Sequence, residues 1–224
     1  MDLLLARVSE AAYKGVRPLK RLGFNKVVKF RSGRTGTKAY LAINDNDRLA
    51  VLTFRGTERD GRDILTDISI SKEEYKGAKI HSGFLRAYKS VEKHINKEVS
   101  RIPEEYEFHV TGHSLGGALA VLYCAYGVIE PLSLVTYGQP RVGDKSLLER
   151  LSQINYTRVV YQSDVVTRVP YIGYTHKGRV LYFNTNREWV ENPTWFSMFF
   201  DRLFSSLSDR ITDHRIRNYV NSLQ

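Results

Sequence analysis

Ser114 stands at the centre of Gly112-His113-Ser114-Leu115-Gly116-Gly117-Ala118, a serine with glycines two residues away on either side. That spacing suits a tight turn between a strand and a helix, where side chains at the glycine positions would collide as the two elements close up. Phe108-His109-Val110-Thr111 is β-prone, and Leu115 to Ala125 is rich in Gly, Ala and Leu, as a buried helix requires. The turn projects the hydroxyl at a helix N-terminus, where free N–H groups favour developing negative charge. By composition alone a Gly-x-Ser-x-Gly arises by chance in a chain of this length on the order of one time in ten. The flanking strand and helix and the extra small residues lower that chance.

A serine hydroxyl becomes a nucleophile only when a base takes its proton and a third group orients the base. On a strand–turn–helix of this type the chain order is serine, acid, histidine. His81, His94 and His109 precede the serine and His113 adjoins it on the wrong side of the turn, which leaves His176 and His214. His214 is preferred, because it follows the last expected strand and opens the terminal helix, where a loop can return imidazole over the serine. His176 precedes a strand and reads as a surface or packing residue. Asp164 lies just beyond Val159-Val160-Tyr161, on the rim where α/β sheets hold their sites, and is the expected acid. Asp144 reads as a helix cap, and Asp213 as a cap of the last helix that could also orient the imidazole.

A tetrahedral oxyanion needs two donors. One is the backbone N–H of Leu115. The other is expected from the turn after an inner strand, and Phe54-Arg55-Gly56-Thr57 fits, with Gly56 permitting close approach and Thr57 offering N–H and hydroxyl.

The elements that must position these groups follow from periodicity. Leu3 to Tyr13 reads as a helix ended by Gly15 and Pro18. Residues 24–31 and 38–44 read as a hairpin, and Leu49–Phe54 as a strand buried on both faces. Residues 55–80 look charged and irregular. Phe84, Tyr88, Val91, Ile95, Val99 and Ile102 mark a long amphipathic helix stopped by Pro103. The serine turn, a strand at Leu132–Tyr137, a helix at about 144–153, strands at Thr157–Gln162 and Arg179–Asn184, and a terminal helix with Ile216, Tyr219, Val220 and Leu223 complete the chain. Strands alternating with helices predict an α/β fold, a mostly parallel central sheet with helices on both faces, as one domain over residues 1–224.

No run approaches the ~18 apolar residues of a membrane span. Met1-Asp2-Leu3-Leu4-Leu5-Ala6 does not read as a secretory signal, and the lone Cys124 reads as a small buried apolar residue, so a reducing, cytoplasmic setting is slightly favoured. Neither a metal nor a cofactor is expected. The net charge is +10, and residues 11–44 hold nine Lys and Arg with no Asp or Glu. This basic segment serves either as a solvated surface or as a contact for anionic lipid; no nucleic-acid motif accompanies it.

These residues together resemble the class 3 lipase family, which includes fungal triacylglycerol lipases. The resemblance is carried by Phe54-Arg55-Gly56-Thr57, His81-Ser82-Gly83-Phe84, the serine turn, Tyr137-Gly138-Gln139-Pro140-Arg141-Val142-Gly143, Asp164 with Val169-Pro170, and Asp213-His214, across nearly the whole chain. It implies an α/β-hydrolase-like fold, Ser114, Asp164 and His214 as triad, Thr57 and Leu115 as oxyanion hole, and a lid after Thr57. The chain departs from secreted members in lacking disulfide cysteines and in the charged start of that segment, Glu58-Arg59-Asp60-Gly61-Arg62-Asp63. Within the segment, Arg55 is expected to pair with Asp67. Trp195, Phe199, Leu203 and Leu207 recur at helical spacing with Phe196, Phe200 and Phe204 beside them; this stretch is either a core helix or a cover for an acyl groove or lipid interface. Trp195, Phe199 and Phe200 are its expected substrate contacts. The expected activity is hydrolysis of acylglycerol or other fatty-acyl esters, with phospholipids on anionic membranes or short or aromatic-acid esters as alternatives, and a non-catalytic binding module as a remote one.

Overall fold

In a computed structural model of the 224-residue chain, the structure describes residues 1–57, 71–194, 196, 198 and 206–224. Helices α1 (Asp2–Lys14) and α2 (Val16–Arg21) lead into strands β1 (Lys26–Arg31), β2 (Lys38–Asn44) and β3 (Leu49–Phe54). A small hairpin of β4 (Lys72–Tyr75) and β5 (Ala78–His81) precedes α3 (Ser82–Val99). Then come β6 (Glu107–His113), α4 (Leu115–Tyr126), β7 (Ser133–Tyr137), α5 (Lys145–Glu149) and β8 (Asn155–Tyr161). After a 3-10 turn at Val166–Arg168 the chain forms β9 (Arg179–Phe183), β10 (Trp189–Glu191), α6 (Leu207–Thr212) and α7 (Ile216–Ser222).

The eight-stranded sheet has the order β1-β2-β3-β6-β7-β8-β9-β10. Its five inner strands β3, β6, β7, β8 and β9 are parallel, and the outer pairings are antiparallel. The mostly parallel sheet expected from the alternating pattern is therefore present. Every residue of β3 is buried, as its continuous apolar run demands of a strand covered on both faces. One face packs on α3 and α4, with Phe84, Tyr88, Val91, Ile95 and Val99 of α3 all buried; the other packs on α1, α2 and α7 through Leu5, Val8, Leu19, Tyr219 and Val220. Full burial of each such side chain contributes about 1.5–3 kcal/mol, so both layers are firmly seated.

Several details differ from the sequence expectation. Gly15 ends α1, but Pro18 lies within the short helix α2, and the sheet gains the edge strand β10. Part of the stretch read as irregular is the β4–β5 hairpin: β4 is mostly exposed, and β5, though buried at Ala78, Ile80 and His81, is only four residues long, too short for its pattern to stand out in the sequence. The helix read over 144–153 stops at Glu149. His214 sits between α6 and α7 instead of opening the last helix, whose N-cap is Arg215. Among the described residues no helix is long and apolar enough to cross a membrane.

Register decides where chemistry can gather. Phe54 pairs with Gly112, His113 with Tyr137, and Tyr137 with Val159. The carboxyl ends of β3, β6, β7 and β8 therefore lie in line, and the loops bearing Thr57, Ser114, Gly138 and Asp164 leave the sheet along one edge.

Candidate active site

Ser114 has φ 58° and ψ −129°, a left-handed backbone that non-glycine residues adopt only where surrounding structure enforces it. The enforcement is visible. A Cβ at Gly112 would lie 2.4 Å from Gly116, and one at Gly116 would lie 2.0 Å from the Phe54 carbonyl oxygen. Only glycines let α4 start this close to β3 and β6. The Ser114 N–H is anchored on the Tyr137 carbonyl at 2.9 Å.

The Ser114 hydroxyl meets Nε2 of His214 at 2.8 Å, and Nδ1 of His214 meets Oδ2 of Asp164 at 2.8 Å. All three residues are buried, at 1, 4 and 1 % exposure. A carboxylate only accepts, so Nδ1 carries the proton and Nε2 is the acceptor for the serine hydroxyl. Asp164 also accepts from the Val166 N–H at 2.9 Å and from the Tyr219 hydroxyl. Gly138, at φ 56°, makes room: a Cβ there would stand 2.7 Å from Oδ2 of Asp164 and 3.0 Å from Nδ1 of His214.

His113 lies on the far side of His214, with ring centroids 4.6 Å apart. Its Nε2–H donates to the His214 carbonyl at 2.6 Å, and its Nδ1 is 2.7 Å from the Tyr13 hydroxyl. Burial, with His214 beside it, holds the His113 imidazole well below the usual histidine range. It is therefore neutral, and Tyr13 donates to it. A Cβ at Gly56 would lie 2.1 Å from that tyrosine oxygen and 2.8 Å from the His113 carbonyl oxygen, so the Gly56-Thr57 turn lies directly against the serine turn. The Thr57 hydroxyl oxygen is buried with no protein hydrogen-bond partner among the described residues. The Leu115 N–H opens α4, where no intrahelical acceptor exists.

The structure thus brings Ser114, His214, Asp164, Thr57 and Leu115 together. It places His176 elsewhere: its Nε2 donates to the Thr167 carbonyl at 2.6 Å, and burial near Arg158 and Arg141 depresses its pKa. Asp144 caps α5 through the Leu147 N–H at 3.1 Å. Asp213 does not cap the last helix; it follows α6 and accepts the Ser163 N–H at 3.0 Å, and burial raises its carboxyl to about 6. Trp195, Phe199 and Phe200, the segment after Thr57 and the expected Arg55–Asp67 pair all fall on or involve residues outside the described ones. Tyr13, His113, Gly138 and Tyr219 went unread as site residues. Tyr219 sits in the apolar stripe of α7 and looks like core; its hydroxyl is the signal, since a buried tyrosine oxygen needs a partner. Among the described residues no group of three or more His, Cys, Asp or Glu is placed to hold a metal ion.

The comparisons with known proteins agree with this geometry. The sequence profile of the family described as Lipase (class 3) matches residues 51–174. A lipase of Rhizopus niveus is 34% identical over 172 residues, covering 68% of this chain and 43% of that protein. Phospholipase A1-Igamma2, chloroplastic, of Arabidopsis thaliana is 31% identical over 180 residues, covering 58% of this chain and 34% of that protein. The chain spans less than half the length of these curated relatives. The crystal structure of a lipase from Rhizopus microsporus var. chinensis superposes with a TM-score of 0.77 at 29% identity, covering 94% of this chain and 83% of that one.

Proposed function

Because the chain belongs to the class 3 lipase family, we propose that it is a serine carboxylic-ester hydrolase acting on fatty-acyl esters. One observation carries the assignment: the unbroken hydrogen-bonded chain from the Ser114 hydroxyl through His214 to Asp164. The Ser114 oxygen attacks the acyl carbonyl carbon while Nε2 of His214 takes its proton. The tetrahedral oxyanion is met by the N–H of Leu115, which has no intrahelical acceptor, and by the N–H and hydroxyl of Thr57, whose hydroxyl oxygen is buried with no protein partner among the described residues. His214 then returns the proton to the departing alcohol, leaving an acyl ester on Ser114. A water molecule, deprotonated by the same nitrogen, attacks that ester, and the collapse releases the acid and restores the serine. Asp164 stabilises the imidazolium and holds its tautomer without taking the proton.

The acyl group is read as a fatty chain on glycerol, with Trp195, Phe199 and Phe200 as proposed contacts. A phospholipid ester is the second reading, favoured by the basic segment at residues 11–44 and by the likeness to a protein named a phospholipase. A fluorophosphonate probe should label the purified chain and fail to label Ser114→Ala. An unreactive Ser114 in folded protein sinks the enzyme assignment and leaves a binding module. A panel of p-nitrophenyl esters, triglyceride emulsion and phospholipid vesicles then separates the substrate readings; activity confined to short soluble esters removes the lipase one.

A further inference from the structure

Arg158 is the only lysine or arginine buried among the described side chains, at 8 % exposure. It lies on β8 two residues beyond Tyr156, and so on the same face of the sheet. Tyr156 is buried there too, its hydroxyl donating to the Gln139 side-chain oxygen. A guanidinium has five N–H donors and no acceptor. Nε of Arg158 is nonetheless buried without a hydrogen-bond partner, and the side chain forms no ion pair among the described residues. The buried acids are engaged elsewhere. Asp164 takes up His214, the Val166 N–H and the Tyr219 hydroxyl, and Asp213 takes up the Ser163 N–H.

The company of Arg158 is cationic instead. The Arg141 charge acts against that of Arg158, and both act against charge on His176. Two loops carry these groups over the end of β8, and backbone bonds tie the loops together. The Arg141 N–H binds the Val169 carbonyl at 2.8 Å, and the Thr175 N–H binds the Gly143 carbonyl at 3.0 Å. Nη1 of Arg141 reaches the Pro170 carbonyl at 3.4 Å. His176 spends its Nε2–H on the Thr167 carbonyl. Burial lowers the Arg158 pKa only to about 10, so the side chain is charged at neutral pH. A charge persists in a protein interior when an opposite charge or a full set of hydrogen bonds meets it. Two neighbouring guanidiniums with no carboxylate to share therefore make a receptor for an anion.

We propose that Arg158 and Arg141 form an internal site for a small monovalent anion, a halide, and that the bound ion braces the loop bearing Asp164. The ion accepts from the N–H groups of Arg158, which no protein acceptor uses. A guanidinium this enclosed suits a monatomic ion better than a carboxylate or a phosphate. Arg158 belongs to β8 and Arg141 to the 138–143 loop. An ion shared between them also steadies Val169 and Pro170, whose carbonyls Arg141 holds five and six residues beyond Asp164. The site itself is independent of the ester-hydrolase reading; only the bracing of a catalytic acid rests on that reading.

The test exchanges gluconate for chloride at constant ionic strength with the full chain, so that screening is unchanged. Two readouts are followed, the chloride NMR line width and the Tm. The protein is expected to broaden the chloride line saturably, and bromide to reverse the broadening. Tm is expected to rise by about 3–6 °C between no chloride and about 100 mM, because an ion that binds the folded chain alone stabilises it. Arg158→Met fills the same space without the charge. It is expected to lose both responses and, in gluconate, to unfold no lower than the unmodified chain. Arg141→Met is expected to weaken chloride binding about tenfold, which keeps the test decisive if Arg158→Met does not fold. Arg7→Met, at an exposed arginine of α1, is expected to keep the full response. No saturable broadening, a Tm indifferent to the exchange, or a full response in Arg158→Met overturns the site. A stronger response to acetate or phosphate than to halide overturns the assignment of the ion. Over the same range kcat for p-nitrophenyl butyrate is expected to rise about threefold as the acid is held in place; turnover flat in chloride overturns the bracing. Chloride binding without turnover at any concentration defeats the ester-hydrolase reading and leaves the anion site standing.

Discussion

His214 is held on one side by charge and on the other by neutral hydrogen bonds, and the two sides come from distant parts of the chain. On the acid side, the 162–168 loop brings Asp164 to Nδ1, and α7 adds the Tyr219 hydroxyl to the same carboxylate. On the neutral side, α1 brings Tyr13 to His113, whose ring donates to the His214 backbone carbonyl. The first arrangement acts on the imidazole proton; the second acts on where the backbone stands. A carboxylate there stabilises the imidazolium directly, whereas a buried neutral histidine supplies position without adding a competing charge. The same contrast separates two nearby acids. Asp164 receives three donors, whereas Asp213 receives the Ser163 N–H and is pushed up to about 6 by burial, with the Asp164 charge adding to the shift.

The contrast is sharpest at Asp164. Asp164→Asn leaves the shape and reverses the donor geometry at Nδ1, so kcat is expected to fall about 10⁴-fold in ester-hydrolysis assays; a loss under tenfold would place the control of the proton elsewhere. Tyr219→Phe removes one charge-assisted donor from the carboxylate, and kcat is expected to drop roughly tenfold with KM little changed. On the neutral side, Tyr13→Phe leaves Nδ1 of His113 unsatisfied in the interior, a cost of about 1–3 kcal/mol. A lower Tm and a kcat reduced only about threefold are expected, with the pH–rate profile unmoved. A shift of its acidic limb would show that His113 carries charge during turnover and would erase the distinction between the two sides.

The smallest effect belongs to Asp213. A carboxyl whose folded pKa, about 6, exceeds its ordinary 3.8 binds its proton more tightly in the folded state. The stability this confers is complete below about pH 4 and is lost as pH rises through 6. Asp213→Asn keeps the acceptor for Ser163 and removes the charge, so Tm is expected to rise by about 2–4 °C at pH 7–8 and to stay unchanged near pH 4. A gain of equal size at both pH values would mean that the carboxylate is not destabilising the fold.

Much of this was legible in the order of residues. Gly112, Ser114 and Gly116 encode the strained turn because no other residue at the glycine positions fits the helix against two strands. The continuous apolar run at Leu49–Phe54 encodes a doubly covered strand, and the stripe from Phe84 to Ile102 encodes its covering helix. Asp164 after a strand and His214 near the last helix were readable from chain order alone, since the parallel sheet sends successive loops to one edge. The β4–β5 hairpin was not readable, because β4 is mostly exposed and the buried positions of β5 span only four residues. Nor was Asp213, whose local sequence suits a cap but whose carboxylate is turned to the Ser163 N–H fifty residues away.

Sequence by itself determined which groups can do the chemistry, through local rules of spacing and turn geometry that act over a few residues. Tertiary structure decided who holds them. Tyr13 and His113 are one hundred residues apart and Tyr219 and Asp164 fifty-five, so neither contact has a signature in the local pattern. Each exists because sheet register and two-sided helix packing bring distant hydroxyls to buried atoms that must be satisfied.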